Sequence, residues 1–145
     1  MNIPADQRQK ELAQIARQHG VAILYTFGSR AKETLAWMEG VQETLAAGPS
    51  DIDVGVKALP GVTWDITQKV ALTLALEDFL GVMRVDLTVL DTADPFLAAN
   101  VVRGERLYAQ DEYLADEYDL YVLRRAGDLI PLEEERIELI LERGR

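Results

Sequence analysis

Three aspartates stand where a strand would make them useful. Asp51 and Asp53 lie two apart in Ser50-Asp51-Ile52-Asp53-Val54-Gly55-Val56, and Asp86 lies in Arg84-Val85-Asp86-Leu87-Thr88-Val89. Both segments alternate with the two-residue period of a strand. Asp51 and Asp53 then share one face, about 7 Å apart, while Ile52, Val54 and Val56 turn to the core. In the second segment Val85, Leu87 and Val89 face the core, which leaves Asp86 on the polar side. If the two strands are neighbours, the three acids converge. Convergent carboxylates raise one another's pKa unless a cation lies among them. The usual cation is Mg²⁺, held by one or two carboxylates together with phosphate oxygens and water. Two such ions can activate an attacking oxygen and stabilise a leaving one in phosphoryl-type transfer.

Upstream, Gly28-Ser29-Arg30 follows the apolar run Val21–Phe27. Glycine allows close backbone approach to a ligand, and the N–H groups opening the next helix favour anions. Ser29 can donate to a phosphate oxygen and Arg30 can add positive charge. A phosphate cradle beside a metal-binding carboxylate set describes a nucleoside triphosphate site. Each feature also has a plainer reading. Asp51 and Asp53 could mark a solvated strand face, Asp86 could pair with Arg84, Gly28-Ser29 could be a turn, and Arg30 could face solvent.

The elements that must position these residues follow from the apolar pattern. A helix opening at Pro4 and Asp6 carries Leu12, Ile15, Ala16 and His19 along one side and ends at Gly20, with His19 expected to cap its last turn. Val21–Phe27 reads as a buried strand. Helical spacing returns from Arg30 to Ala47 through Leu35, Met38, Val41 and Leu45, with Gly40 as a weak point and Gly48-Pro49 as the stop. The stripe of Trp37, Met38, Val41 and Leu45 fits ordinary packing or, alternatively, a docking surface. Thr63–Leu80 reads as a helix with one polar stripe (Asp65, Gln68, Lys69, Thr73, Glu77) on an otherwise apolar cylinder. Asp94-Pro95 signals an N-cap with proline at the first helical position, and a short strand follows at Glu105–Tyr108. Two acidic helices are expected at Glu112–Ala126 and Leu132–Arg143, the second opened by Pro131. The order αβαβαβαβαα predicts one α/β (α+β) domain, a mixed sheet of about four strands covered by helices.

The chain has 145 residues, enough for one domain with a real core. Its net charge is −10, with −1 over residues 1–60, −4 over 61–100 and −5 over 101–145. Such a surface repels a phosphate backbone, so direct nucleic-acid binding is not expected. The absence of cysteine excludes disulfides and Cys-based zinc sites. No apolar run is long enough to span a membrane, and no signal core opens the chain. A cytoplasmic location is expected. Glu133-Glu134-Glu135 reads most simply as a solvated helix start, and acidic terminal helices could also meet a basic partner.

Phe27-Gly28-Ser29-Arg30-Ala31, Ser50-Asp51-Ile52-Asp53-Val54-Gly55-Val56 and Val85-Asp86-Leu87 together resemble the minimal nucleotidyltransferases of the DNA polymerase β superfamily. Within them the chain is most similar to the MNT antitoxins that pair with HEPN toxins. The resemblance runs from the first helix to Gly104-Glu105-Arg106-Leu107-Tyr108, which looks like the G-x-x-L-Y ending of that family. It implies that Gly28 and Ser29, with Arg30, hold a triphosphate, that Asp51, Asp53 and Asp86 are metal ligands, and that Asp86 activates the incoming hydroxyl. It implies Mg²⁺, in two ions, as cofactor, ATP as substrate and a HEPN toxin from an adjacent gene as partner, in a homo- or hetero-oligomer. The implied reaction moves AMP onto a tyrosine of that toxin. One departure stands out: 21 residues separate Ser29 from Asp51, where the family usually has about ten. The core is expected over residues 1–110, with an inserted helical segment near 35–47, and a C-terminal helical extension over 111–145. Two other functions remain: a binding antitoxin that masks the toxin, and a small-molecule (aminoglycoside-type) nucleotidyltransferase.

Overall fold

A computed structural model describes residues 4–45, 48 and 50–143. Five helices and four strands alternate: α1 (Ala5–His19), β1 (Val21–Phe27), α2 (Ala31–Met38), β2 (Ile52–Ala58), α3 (Ile66–Leu80), β3 (Val85–Val89), α4 (Pro95–Val102), β4 (Glu105–Ala109) and α5 (Glu112–Arg143). The strands form one mixed sheet in the order β3-β2-β1-β4. β1 runs antiparallel to both β2 and β4, and β3 runs parallel to β2. This is the α+β, four-stranded, helix-covered arrangement expected from the sequence.

Alternation along the strands builds two cores. On one face Leu24, Ile52, Val54, Val56, Val85 and Leu107 meet Leu12 and Ala16 of α1, Trp37 and Met38 of α2, and Leu72, Leu76 and Leu80 of α3. On the other, Ile23, Tyr25 and Phe27 meet Ala98, Ala99, Val101 and Val102 of α4 and Ala115, Val122 and Ala126 of α5. The face expected to be polar on β2 is therefore covered past its first residues. Gly55 is there because a Cβ would lie 2.3 Å from Val101 Cγ1, so α4 sits directly on the strand.

Several boundaries differ from expectation. The second helix stops at Met38 instead of running on to Ala47, because Gly40 takes a φ of 78° that a helix cannot continue. Residues 41–44 are bends, and Ala46, Ala47 and Pro49 lie outside the described residues. Trp37, Met38 and Leu45 are buried packing residues, whereas Val41 is 79% exposed. Buried Arg8 closes this segment: it donates to the carbonyls of Trp37, Gln42 and Glu43 and lies 4.4 Å from the centre of the Trp37 ring.

Helix α3 starts at Ile66, three residues later than expected, where Asp65 and Gln68 form a reciprocal cap. Its apolar cylinder is not all buried: Ile66, Val70 and Leu74 face outward. The Asp94 cap of α4 is present, accepting from Phe96 N and Leu97 N. The His19 imidazole makes no hydrogen bond among the described residues; its carbonyl accepts from Trp64 Nε1 at 2.6 Å. The two expected terminal helices are one, α5, with Pro131 inside it. Proline removes one helical hydrogen bond at an exposed position, and the strong helix formers after it, Leu132, Glu133, Glu134 and Glu135, carry the helix on.

Candidate active site

The sheet topology gathers the three motifs at one end. β1 ends where its antiparallel neighbour β2 begins, with Phe27 opposite Asp53. β3 begins beside the start of β2, with Asp53 opposite Asp86. Thus Gly28-Ser29, Asp51-Ile52-Asp53 and Asp86 meet along one edge of the fold, although they span nearly sixty residues of sequence.

Asp53 is the central member. Thr26 Oγ1 donates to its carbonyl at 3.1 Å, fixing the backbone from β1. Its carboxyl titrates above the ordinary value, first because the site partly strips it of water, then because Asp86 and Asp51 place negative charge beside it and Asp86 shares a hydrogen bond with it. Asp86 is exposed and faces Asp53, not Arg84. Arg84 instead lies 3.8 Å from Asp51, through Nε. Among the described residues no three acidic, histidine or cysteine side chains converge closely enough to hold a metal ion as they stand.

Gly28 is required by geometry. It adopts φ 78°, and a Cβ there would lie 2.4 Å from Asp53 Oδ2. The backbone of the β1–α2 turn therefore passes directly over the Asp53 carboxyl. Ser29 is exposed in this turn, immediately before α2. Arg30 folds back, bonding Glu33 and donating to Ser50 O at 3.1 Å, so it ties the turn to the residue before Asp51. A cleft of about 340 Å³ opens beside Asp51, lined by Arg30, Leu45, Ser50, Met83 and Arg84 among others.

Every sequence-derived candidate lies at this edge, but the structure adds three residues. Thr26 and Arg84 act through strand register, and Arg8 holds the segment between α2 and β2. Only the strand period could have pointed to Thr26; Arg84 was legible as a cation near Asp86 but not as the neighbour of Asp51, and nothing local marks Arg8.

Chemically, the arrangement offers a carboxylate pair across two strands, a third acid beside them and exposed backbone at a helix start. It suits a cation-assisted reaction at phosphate. Among the described residues no helix is long and apolar enough to cross a membrane.

A family model described as "Polymerase beta, Nucleotidyltransferase" matches residues 10–113. No protein of curated function matches the sequence. Among solved structures, a toxin–antitoxin complex with AMP-PNP is similar at 21% identity and a TM-score of 0.66, over 92% of this chain and 98% of that one. A Shewanella oneidensis complex of a tri-AMPylated HEPN toxin with its MNT antitoxin is similar at 18% identity and 0.64, over 94% and 98%. The MntA-HepT toxin–antitoxin structure gives 19% identity and 0.64 over the same shares. These likenesses carry the fold. The family match spans both strand motifs and the Gly28-Ser29 turn, and the chain belongs to the polymerase β nucleotidyltransferase family.

Proposed function

We propose that this nucleotidyltransferase moves AMP from ATP to a hydroxyl, a tyrosine of a HEPN-class toxin, and so acts as an antitoxin. The observation that carries the catalytic half is the Asp53–Asp86 register with Gly28 pressed onto Asp53. The partner half is supported by similarity over nearly the whole chain to an MNT antitoxin complex with a HEPN toxin and to the MntA-HepT toxin–antitoxin structure.

The donor chemistry suits a divalent cation once the acids draw together around it: Asp53 lies near two like charges that a cation would relieve. Asp53, Asp86 and Asp51, the last after leaving Arg84, would hold it. Mg²⁺, as two ions, would supply positive charge against the phosphate oxygens and the developing negative charge of the reaction. Gly28 and Ser29 bind the triphosphate through backbone N–H and hydroxyl donors. Arg30 adds charge from its place against Ser50. Asp86, the exposed acid, accepts the proton of the acceptor hydroxyl. The hydroxyl oxygen then bonds to the α-phosphorus, and pyrophosphate leaves. Residues 1–110 are assigned this machinery, and 111–145, helical over Glu112–Arg143, the C-terminal extension.

The test is intact mass spectrometry of the adjacent-gene protein after incubation with this chain, ATP and Mg²⁺, with the Asp51→Asn/Asp53→Asn double variant as control. A gain of one or more AMP units, absent with the variant, is expected. Co-elution without any mass gain would instead make the chain a masking antitoxin.

A further inference from the structure

The last turns of α5 leave the body of the protein. Val122 and Ala126 are buried against the second core, but from Ile130 onward every described residue is exposed except the half-buried Glu133. The apolar side does not end there. Ile130, Ile137 and Leu141 continue the side of the helix that carries Val122 and Ala126, and they are 44%, 46% and 62% exposed. Ile140 adds to the same stripe, also exposed. The surface that α5 buries intramolecularly thus continues, unpartnered, for more than two turns.

A second stripe fixes what can cover the first. Glu134, Glu138 and Glu142 follow at i, i+4 and i+8, adjacent to Ile137 and Leu141 on the helix surface. None of the three makes an ion pair among the described residues, whereas Arg136 is already held by Glu133. Two copies of this helix would bring acid to acid in a chain of net charge −10. A helix with an apolar stripe bordered by lysines or arginines satisfies both stripes at once.

We infer that residues 130–143 of α5 are a docking helix for a basic-flanked amphipathic helix of the HEPN-class partner. The identity of that partner rests on the antitoxin reading above.

Binding of the purified adjacent-gene protein to the full chain is measured by calorimetry, beside ATP affinity and helical circular dichroism. Ile137→Gln/Leu141→Gln and Glu134→Lys/Glu138→Lys keep good helix formers at exposed positions. Each pair is expected to weaken partner binding about tenfold or more, with ATP affinity and helix signal as in the wild type. Unchanged binding in the glutamine pair overturns the inference, as does absence of binding by the wild-type chain. A wild-type dimer that the glutamine pair makes monomeric also overturns it, in favour of a second copy. AMP transfer separates the two claims. Wild-type transfer with binding unaffected by the variants removes the docking helix and keeps the antitoxin reading. Variant-sensitive binding with no transfer removes the enzymatic reading and keeps the helix.

Discussion

Asp53 binds its proton more tightly in the folded chain than in the unfolded one, since burial and the charges of Asp86 and Asp51 oppose its ionisation. The sign of the consequence is fixed by linkage. Below the ordinary carboxylate range both states are protonated and nothing is lost. As pH rises through that range to the raised native value, the unfolded chain releases its proton first, and stability falls. Above that raised value the full penalty is present. Asp53→Asn removes it and lets an amide donate to Asp86. In EDTA at pH 7 this variant is expected to melt at a higher temperature than the wild type, with the difference vanishing in acid. AMP transfer is expected to fall about 100-fold or more, because a group that organises transition-state charge is gone. Adding Mg²⁺ should raise the wild-type melting temperature more than that of the variant. A variant less stable than the wild type in EDTA at pH 7 would contradict this account. At this scale the sequence was informative where chemistry follows from a local period: Asp51, Asp53 and Asp86 on strands, and glycine in the turn before a helix. It offered Asp86 as the partner of Arg84, where the structure has Asp51, and it was silent on Arg8. Their partners depend on strand register and on carbonyls about thirty residues away, and an arginine in a polar helix stretch looks like any solvated one.

Among the elements, α4 approaches β2 closely at Gly55. A methyl group there would meet Val101 Cγ1 at 2.3 Å, so Gly55→Ala must push the helix outward or bend the strand. Overpacking of this kind costs about 1–3 kcal/mol. Because Asp53 lies two residues along the same strand, transfer should fall with stability. Gly55→Ala/Val101→Ala is the check: it empties the space the new methyl needs. It should recover most of the melting temperature and the activity relative to Gly55→Ala alone, a coupling expected only of residues in contact. Simple additivity of the two changes would show that the strand is not held by this contact. The strand alternation of β2 was legible in the sequence, yet the cover over its second face was not, because which helix packs on which face is decided by connections and not by local pattern. The continuous α5 shows the converse limit. Pro131 is a sound local signal for a helix start, but a proline on a solvent-facing turn removes one bond from a long helix and leaves the neighbouring turns intact.

For the molecule as a whole, charge decides how partners arrive. Half of the net −10 lies in residues 101–145, the stretch that includes β4 and all of α5. Part of this charge is internally compensated: Arg106 of β4 is bound by Glu112, Asp116 and Asp119 and clamps the first turns of α5 to the sheet edge. Beyond Pro131 five glutamates stand against three arginines, and among the described residues the one ion pair there is Glu133–Arg136. Glu134, Glu138 and Glu142, without an ion pair among the described residues, place negative charge along one side of the exposed end, where it attracts a basic surface over roughly a Debye length. If that field guides the HEPN-class partner, the association rate should fall about tenfold or more between 50 and 500 mM NaCl, read by stopped-flow mixing. Dissociation should change much less, because Ile130, Ile137 and Leu141 hold the partner by apolar contact once docked. Glu134→Lys/Glu138→Lys should flatten the salt dependence, whereas Ile137→Gln/Leu141→Gln should leave it intact and speed dissociation. A wild-type association rate indifferent to salt would mean that the acids of α5 merely keep the helix soluble. The apolar stripe alone would then have to select the partner.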